Sequence, residues 1–189
     1  MKIKLFLKSR LRAFAKETDG NMSIEALVFV PFIVTLMAIT FSLYDAFRFK
    51  SLNTKAAFTI SDALSRETDA ITPDYVDGLV STFEFLTRSE NQYSLRITTV
   101  EYDEDSNVYE VKWSEGRGKW QGLEGVDLNA MSSVLPNMLD NETIILVETH
   151  TQYEPPFNMD KFLTDDLFYN ITFTRPRFAP QLIWSDGTS

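Results

Sequence analysis

The sequence predicts an α+β protein. A long N-terminal transmembrane helix continues into an amphipathic stalk, and a head follows with an antiparallel sheet of about four strands and two helices. Three observations carry this. Ala26 to Tyr44 is a run of 19 residues without a charge. Apolar residues then recur at three- and four-residue spacing as far as Arg66. Beyond residue 90, four short stretches show strand patterning, bounded by turn residues. The boundaries read from these patterns are a basic leader at 1–20, a transmembrane helix at 21–47, a stalk helix at 48–66 and a head at 67–189.

The chain has 189 residues, of which 44% are apolar and 15 are phenylalanine. That suffices for one domain with a real core and an appendage. Charge is unevenly placed. Residues 1–20 carry six basic and two acidic side chains, a net +4, so the remainder of a chain at −9 carries −13. An acidic body argues against a nucleic-acid partner, which would require a basic face. The chain has no cysteine, which excludes disulfides, thiolate zinc sites and a cysteine nucleophile. It has one histidine, His150, which excludes multi-histidine metal sites. No cofactor is implied.

The run ALVFVPFIVTLMAITFSLY would rise about 28 Å as a helix, against about 30 Å of bilayer hydrocarbon. A buried helix of a soluble protein would show a polar face, and here only Thr35, Thr40 and Ser42 interrupt the run. A cleaved secretory signal would have a shorter apolar core followed by a small-residue cut site, whereas Asp-Ala-Phe-Arg-Phe-Lys follows this one. The basic leader keeps the N-terminus cytoplasmic and sends the head across, although Arg48, Lys50 and Lys55 soften the contrast.

Past the span, Phe49, Leu52, Ala56, Ile60 and Ala63 or Leu64 form a stripe suited to packing on the head. Pro73 to Thr87 reads as a helix with Val76, Leu79, Val80, Phe83 and Leu86 on one face and proline in its first turn. Leu95–Tyr102 and Val108–Ser114 flank the turn DEDSN and read as a hairpin. Asp127–Asp140 reads as the second head helix, with Asp127 as its N-cap. Thr143–Tyr153 opens on the continuous apolar run of a central strand, and Phe168–Arg175 alternates as a fourth strand.

Two residues sit awkwardly in a plain anchor. Glu25 places a carboxylate at the edge of the apolar run, and Pro31 removes a backbone donor inside it. With Gly20 and Asn21 they form GNMSIEALVFVPF, preceded by a basic leader. This resembles the processing site of type IV prepilins, and proline six residues after the glutamate narrows the resemblance to TadE-like pseudopilins of the tight-adherence (Flp) pilus. The resemblance covers about residues 16–60. The tail TRPRFAPQLIW is reminiscent of some TadE/TadG-like chains.

The resemblance implies cleavage after Gly20 by a prepilin peptidase on the cytoplasmic face of a bacterial inner membrane. Asn21 becomes the new N-terminus and Glu25 the fifth mature residue. It implies as partners other pilins or pseudopilins, the assembly platform and membrane lipid, and gives Glu25 and Pro31 an assembly role. In pilins the glutamate is thought to face the free amine of a neighbouring subunit. The major Flp pilin has tyrosine after its glutamate and little chain beyond the span. Here Ala26 and a large head point to a minor pilin or pseudopilin. The helix-on-sheet plan also resembles pilins in general. The other reading is an uncleaved single-pass protein whose periplasmic head binds a ligand or scaffolds an envelope complex.

Catalytic and metal motifs fail on inspection. Asp103, Asp105 and Asn107 open like a calcium loop, but Val108 stands where glycine is needed and Ser114 where glutamate is needed. The Gly-rich stretch EGRGKWQGLEG, Glu115–Gly125, lacks the phosphate-loop spacing and reads as a loop. His150 has no nucleophile motif around it and reads as structural. The sequons at Asn141 and Asn170 are incidental. The chain reads as the substrate of a processing enzyme and not as an enzyme.

Overall fold

The structure is a computed structural model and describes residues 22–89, 93–158 and 168–187. Helix α1 spans Met22–Arg66, α2 Pro73–Thr87 and α3 Gly125–Ala130; strands β1 to β4 span Tyr93–Asp103, Val108–Gly118, Thr143–Thr151 and Tyr169–Thr174. The strands form one antiparallel sheet in the order β2-β1-β3-β4. The chain divides into two compact units, the first ending at Leu43 and the second beginning at Tyr44.

In the second unit, Ala56, Ile60 and Leu64 recur every four residues and are fully buried. They share a core with Val76, Leu79, Val80 and Phe83 of α2 and with Leu95, Ile97, Ile145 and Val147 of the sheet. Odd-numbered residues of β1 and β3 face this core, as the period of two requires. Polar bonds fix the remainder of the docking. Asn53 accepts a hydrogen bond from the Thr151 hydroxyl, and Lys50 donates to the Tyr169 carbonyl and the Asn170 side chain, each at 2.8 Å. Phe49, Tyr153 and Phe168 stack beside them with ring centres 4.8–5.3 Å apart.

Helix α2 starts where a Thr72 cap, accepting from the Tyr75 amide, precedes Pro73. It ends on Arg88 in the left-handed region at φ 58°. The C-terminal segment runs back over the α1–α2 junction. The Ile71 amide donates to the Ile183 carbonyl at 2.8 Å, the Ser185 amide donates to the Ile71 carbonyl at 2.9 Å, and the Arg177 amide donates to the Ser65 carbonyl at 2.8 Å. Trp113 donates to the Leu182 carbonyl and packs on Trp184.

The opposite sheet face is covered as well. Val100, Ile144 and Leu146 pack under Leu123, Leu128, Leu135 and Met138. A bulge makes this possible: the register slips between Thr99 and Val100, and Lys112 is the extra residue, paired with Glu101 at 2.7 Å.

Two expectations need correction. The second head helix, expected at 127–140, is only the six residues Gly125–Ala130, followed by turns. Pro136 lacks a donor and bars helix before it, and the Asn129 side chain bonds to Tyr109 of the neighbouring strand. Its N-cap is Glu124, not Asp127. The Gly-rich stretch expected as a loop is strand as far as Gly118. Gly118 has φ 77°, and a Cβ there would lie 2.2 Å from the Tyr93 carbonyl oxygen. A Cβ on Gly116 would lie 2.4 Å from the Trp120 carbonyl oxygen. Gly116 thus lets the chain at Trp120 and Gln121 fold back across β2, and Gly118 lets β2 lie close to the start of β1.

Leu64→Ala is expected to destabilise the head by about 2–5 kcal/mol. Phe58→Ala, on the same helix but 59% exposed, should stay within about 0.5 kcal/mol. Urea unfolding of the full chain in detergent, followed by tryptophan emission, measures both. Equal losses would contradict this docking face.

Candidate functional site

The first candidate is the apolar part of α1. Every large apolar side chain from Leu27 to Tyr44 is exposed, on all sides of the helix. Water would penalise such a cylinder and lipid would not. The helix is long and apolar enough to cross a membrane. Its few polar side chains are satisfied internally, as a lipid setting demands: Thr35 donates to the Pro31 carbonyl at 2.8 Å and Thr40 to the Leu36 carbonyl at 2.9 Å.

Glu25 lies in the first turn of this helix and is exposed. The helix dipole favours a carboxylate there by about 0.3–1 kcal/mol, much less than the cost of placing it near hydrocarbon. Among the described residues no basic side chain pairs with it. Pro31 lies inside the helix and deprives the Leu27 carbonyl of its usual donor. Gly20 and Asn21, the expected processing residues, and the basic leader lie outside the described residues. The structure therefore brings Glu25 and Pro31 onto one helix.

The second candidate was not anticipated. On the sheet face opposite α1, Arg96 of β1 and Glu148 of β3 are register partners. Arg96 Nε and Nη2 donate to the two Glu148 carboxylate oxygens at 2.6 and 2.8 Å, and the Tyr169 hydroxyl donates to Oε1 at 2.7 Å. Glu148 is 1% exposed. The Trp120 ring roofs the guanidinium at 5.3 Å, meets Tyr169 edgewise and lies tilted against His150. The one signal in the sequence is Glu148 itself, directly after the run Ile144–Val147 and therefore on a buried face.

The chemistry here is structural. Both oxygens of Glu148 accept from fixed donors, Arg96 and Tyr169, which hold the carboxylate in place. The cluster instead ties the segment after β2 down onto β1, β3 and β4. His150 joins it only as a half-buried ring against Trp120. The acidic hairpin is closed by its own bonds: Asp103 accepts from the Asp105 and Ser106 amides and the Ser106 hydroxyl. Among the described residues no group of three acidic or histidine side chains is placed to hold a metal. A groove of about 410 Å³ is lined by Pro136, Ile144, Phe173, Thr174, Arg175 and Arg177. Its two arginines are paired already, with Glu142 and Asp62. Asn170 is buried and accepts from Lys50 and Thr54.

Comparison with protein-family models, with curated proteins and with solved structures finds no significant match. What the fold and site define is a class: an α+β head on a helix of membrane-spanning length and composition.

Glu148→Ala should cost about 3–5 kcal/mol, because it leaves the Arg96 charge buried and unpaired. Replacing both, by Glu148→Leu with Arg96→Met, should cost less than the single change in the same urea titration. The alkaline limb supplies a second test. Burial first, then the neighbouring carboxylate, holds the Tyr169 and Tyr153 hydroxyls above the ordinary tyrosine value; Glu148 is the neighbour of one and Asp45 of the other. Tyr75 and Tyr93 shift the same way, again by burial first. A raised folded pKa stabilises fully below the unfolded value of about 10, and that contribution is lost as pH climbs above it. The head should therefore weaken above about pH 10, and Tyr169→Phe with Tyr153→Phe should flatten that fall.

Proposed function

We propose that this chain is a TadE-like pseudopilin, a minor pilin that helps assemble a tight-adherence pilus. In this reading residues 1–20 form a cytoplasmic leader, α1 crosses the bacterial inner membrane and the head lies in the periplasm. The prepilin peptidase cuts after Gly20, and Asn21 becomes the mature N-terminus. Its partners are other pilins or pseudopilins and the assembly platform.

One observation carries the reading: a helix apolar on every side that nonetheless keeps a carboxylate, Glu25, in its first turn and a proline, Pro31, six residues on. An anchor alone needs neither. A carboxylate beside lipid calls for a cationic partner, and the amine released by cleavage is a cation of the right kind, supplied by a neighbouring subunit. Pro31 frees the Leu27 carbonyl, which a neighbouring helix can satisfy within a bundle.

N-terminal sequencing of the membrane-extracted protein, from cells that carry the peptidase, is expected to begin at Asn21. Glu25→Val is expected to insert normally and to lower surface pili. An intact Met1 in such cells sinks the processing claim, and normal piliation by Glu25→Val sinks the assembly role.

A further inference from the structure

Within the second unit, between the part of α1 just past Tyr44 and the end of α2, a cleft of about 130 Å³ is lined by Asp45, Arg48, Phe49, Leu52, Thr87 and Arg88. We propose that this cleft, with Arg48 and Arg88 as its two cations, binds the headgroup phosphate of an anionic phospholipid in the leaflet beneath the head.

Depth is the first argument. Arg48 follows Tyr44, the last residue of the uncharged run, by four residues, or about 6 Å of helix. A headgroup layer is about 5–8 Å thick on each side of the hydrocarbon. With the apolar run in the bilayer, Arg48 therefore lies among headgroups. Arg88 lines the same cleft from the end of α2, so both cations are at that depth.

The second argument is that the two arginines are free to act. Both are exposed, and among the described residues neither has an ion-pair partner. The other arginines of the head that face carboxylates use them: Arg66, Arg96, Arg117, Arg175 and Arg177 are all paired. Asp45 is the one acid in the cleft, and its Oδ2 accepts from the Tyr153 hydroxyl at 2.8 Å. Lys50, the nearest further cation on α1, is turned into the head toward Tyr169 and Asn170.

Backbone strain is the third. Arg88 caps α2 in the left-handed region, where glycine is the usual residue and a side chain is penalised. An arginine kept there implies a use for its guanidinium. Phe85, three residues before Arg88 in sequence, is 82% exposed, and Phe47, the residue before Arg48, is 74% exposed. Exposed aromatic rings flanking arginines suit the boundary between headgroup and acyl chain. A free phosphate would use the arginines but not these rings, so the occupant is a lipid.

The inference rests on the membrane-spanning part of the reading above and not on processing or the pilus. Carbonate extraction checks that part separately: release of the chain from membranes sinks the span itself. For the cleft, the full chain in detergent is offered equal phosphatidylglycerol and phosphatidylcholine, and bound lipids are counted by native mass spectrometry. The intact chain is expected to retain phosphatidylglycerol preferentially. R48Q with R88Q should bind it about thirtyfold more weakly, the combined effect of two cations near an anionic surface. R88G should lose lipid in the same direction while folding at least as stably, because it relieves the strained cap. R66Q with R177Q removes equal charge elsewhere on the head and should change nothing. Equal retention in R48Q with R88Q, or equal loss in R66Q with R177Q, overturns the proposal. So does displacement of the lipid by inorganic phosphate alone.

Discussion

The structure turns on one docking: the second half of α1 laid across the sheet. Ala56, Ile60 and Leu64 share one core with Leu95, Ile97, Ile145 and Val147 of the sheet, and α2 adds Val76, Leu79, Val80 and Phe83. Burial at about 25 cal/mol per Å² favours the contact, and side-chain geometry gives it register. Asn53, Lys50 and Thr54 then find polar partners on β3 and β4 at set positions along the helix. With α1 placed, α2 has its floor, the C-terminal segment has a helix end to strap, and Arg48 and Arg88 meet at one cleft.

One helix thus carries two kinds of surface. Up to Tyr44 its side chains are apolar all round, and past Tyr44 they are apolar along a stripe. The same backbone satisfies its own hydrogen bonds in both halves, which is why no change of secondary structure is needed at the boundary. The polar residues obey the same rule: Thr35 and Thr40 bond back to their own helix, whereas Asn53 and Thr54 bond outward to the sheet.

The sheet is buried on both faces, and its two sides were unequally legible in the sequence. The side under α1 and α2 follows from periodicity: Pro73–Thr87 forms the helix expected of it, with Val76, Leu79, Val80 and Phe83 inward. The other side does not. Residues 119–142 cover it with a short helix, turns and extended chain, which have no period to read. The apolar residues expected on one long helix, Leu128, Leu135 and Met138, do reach the core, but along an irregular path broken by Pro136. Gly116 and Gly118 were legible as glycines, but the reason for them, the close approach of Trp120 to the one and of Tyr93 on β1 to the other, exists only in the fold.

The sequence by itself determined the class of protein: an apolar helix with Glu25 and Pro31 at its start, an amphipathic continuation and four antiparallel strands. Those features are local or periodic, and hydrophobicity and steric preference act on them without knowledge of the fold. Tertiary structure alone decided which side chains meet. Arg96 finds Glu148 at 52 residues' remove and Lys50 finds Asn170 at 120. Arg88 joins Arg48 because the end of α2 lies against the base of α1. Such pairings depend on strand register and helix docking, and those are set by the summed burial of the whole core, which no short window of the chain contains.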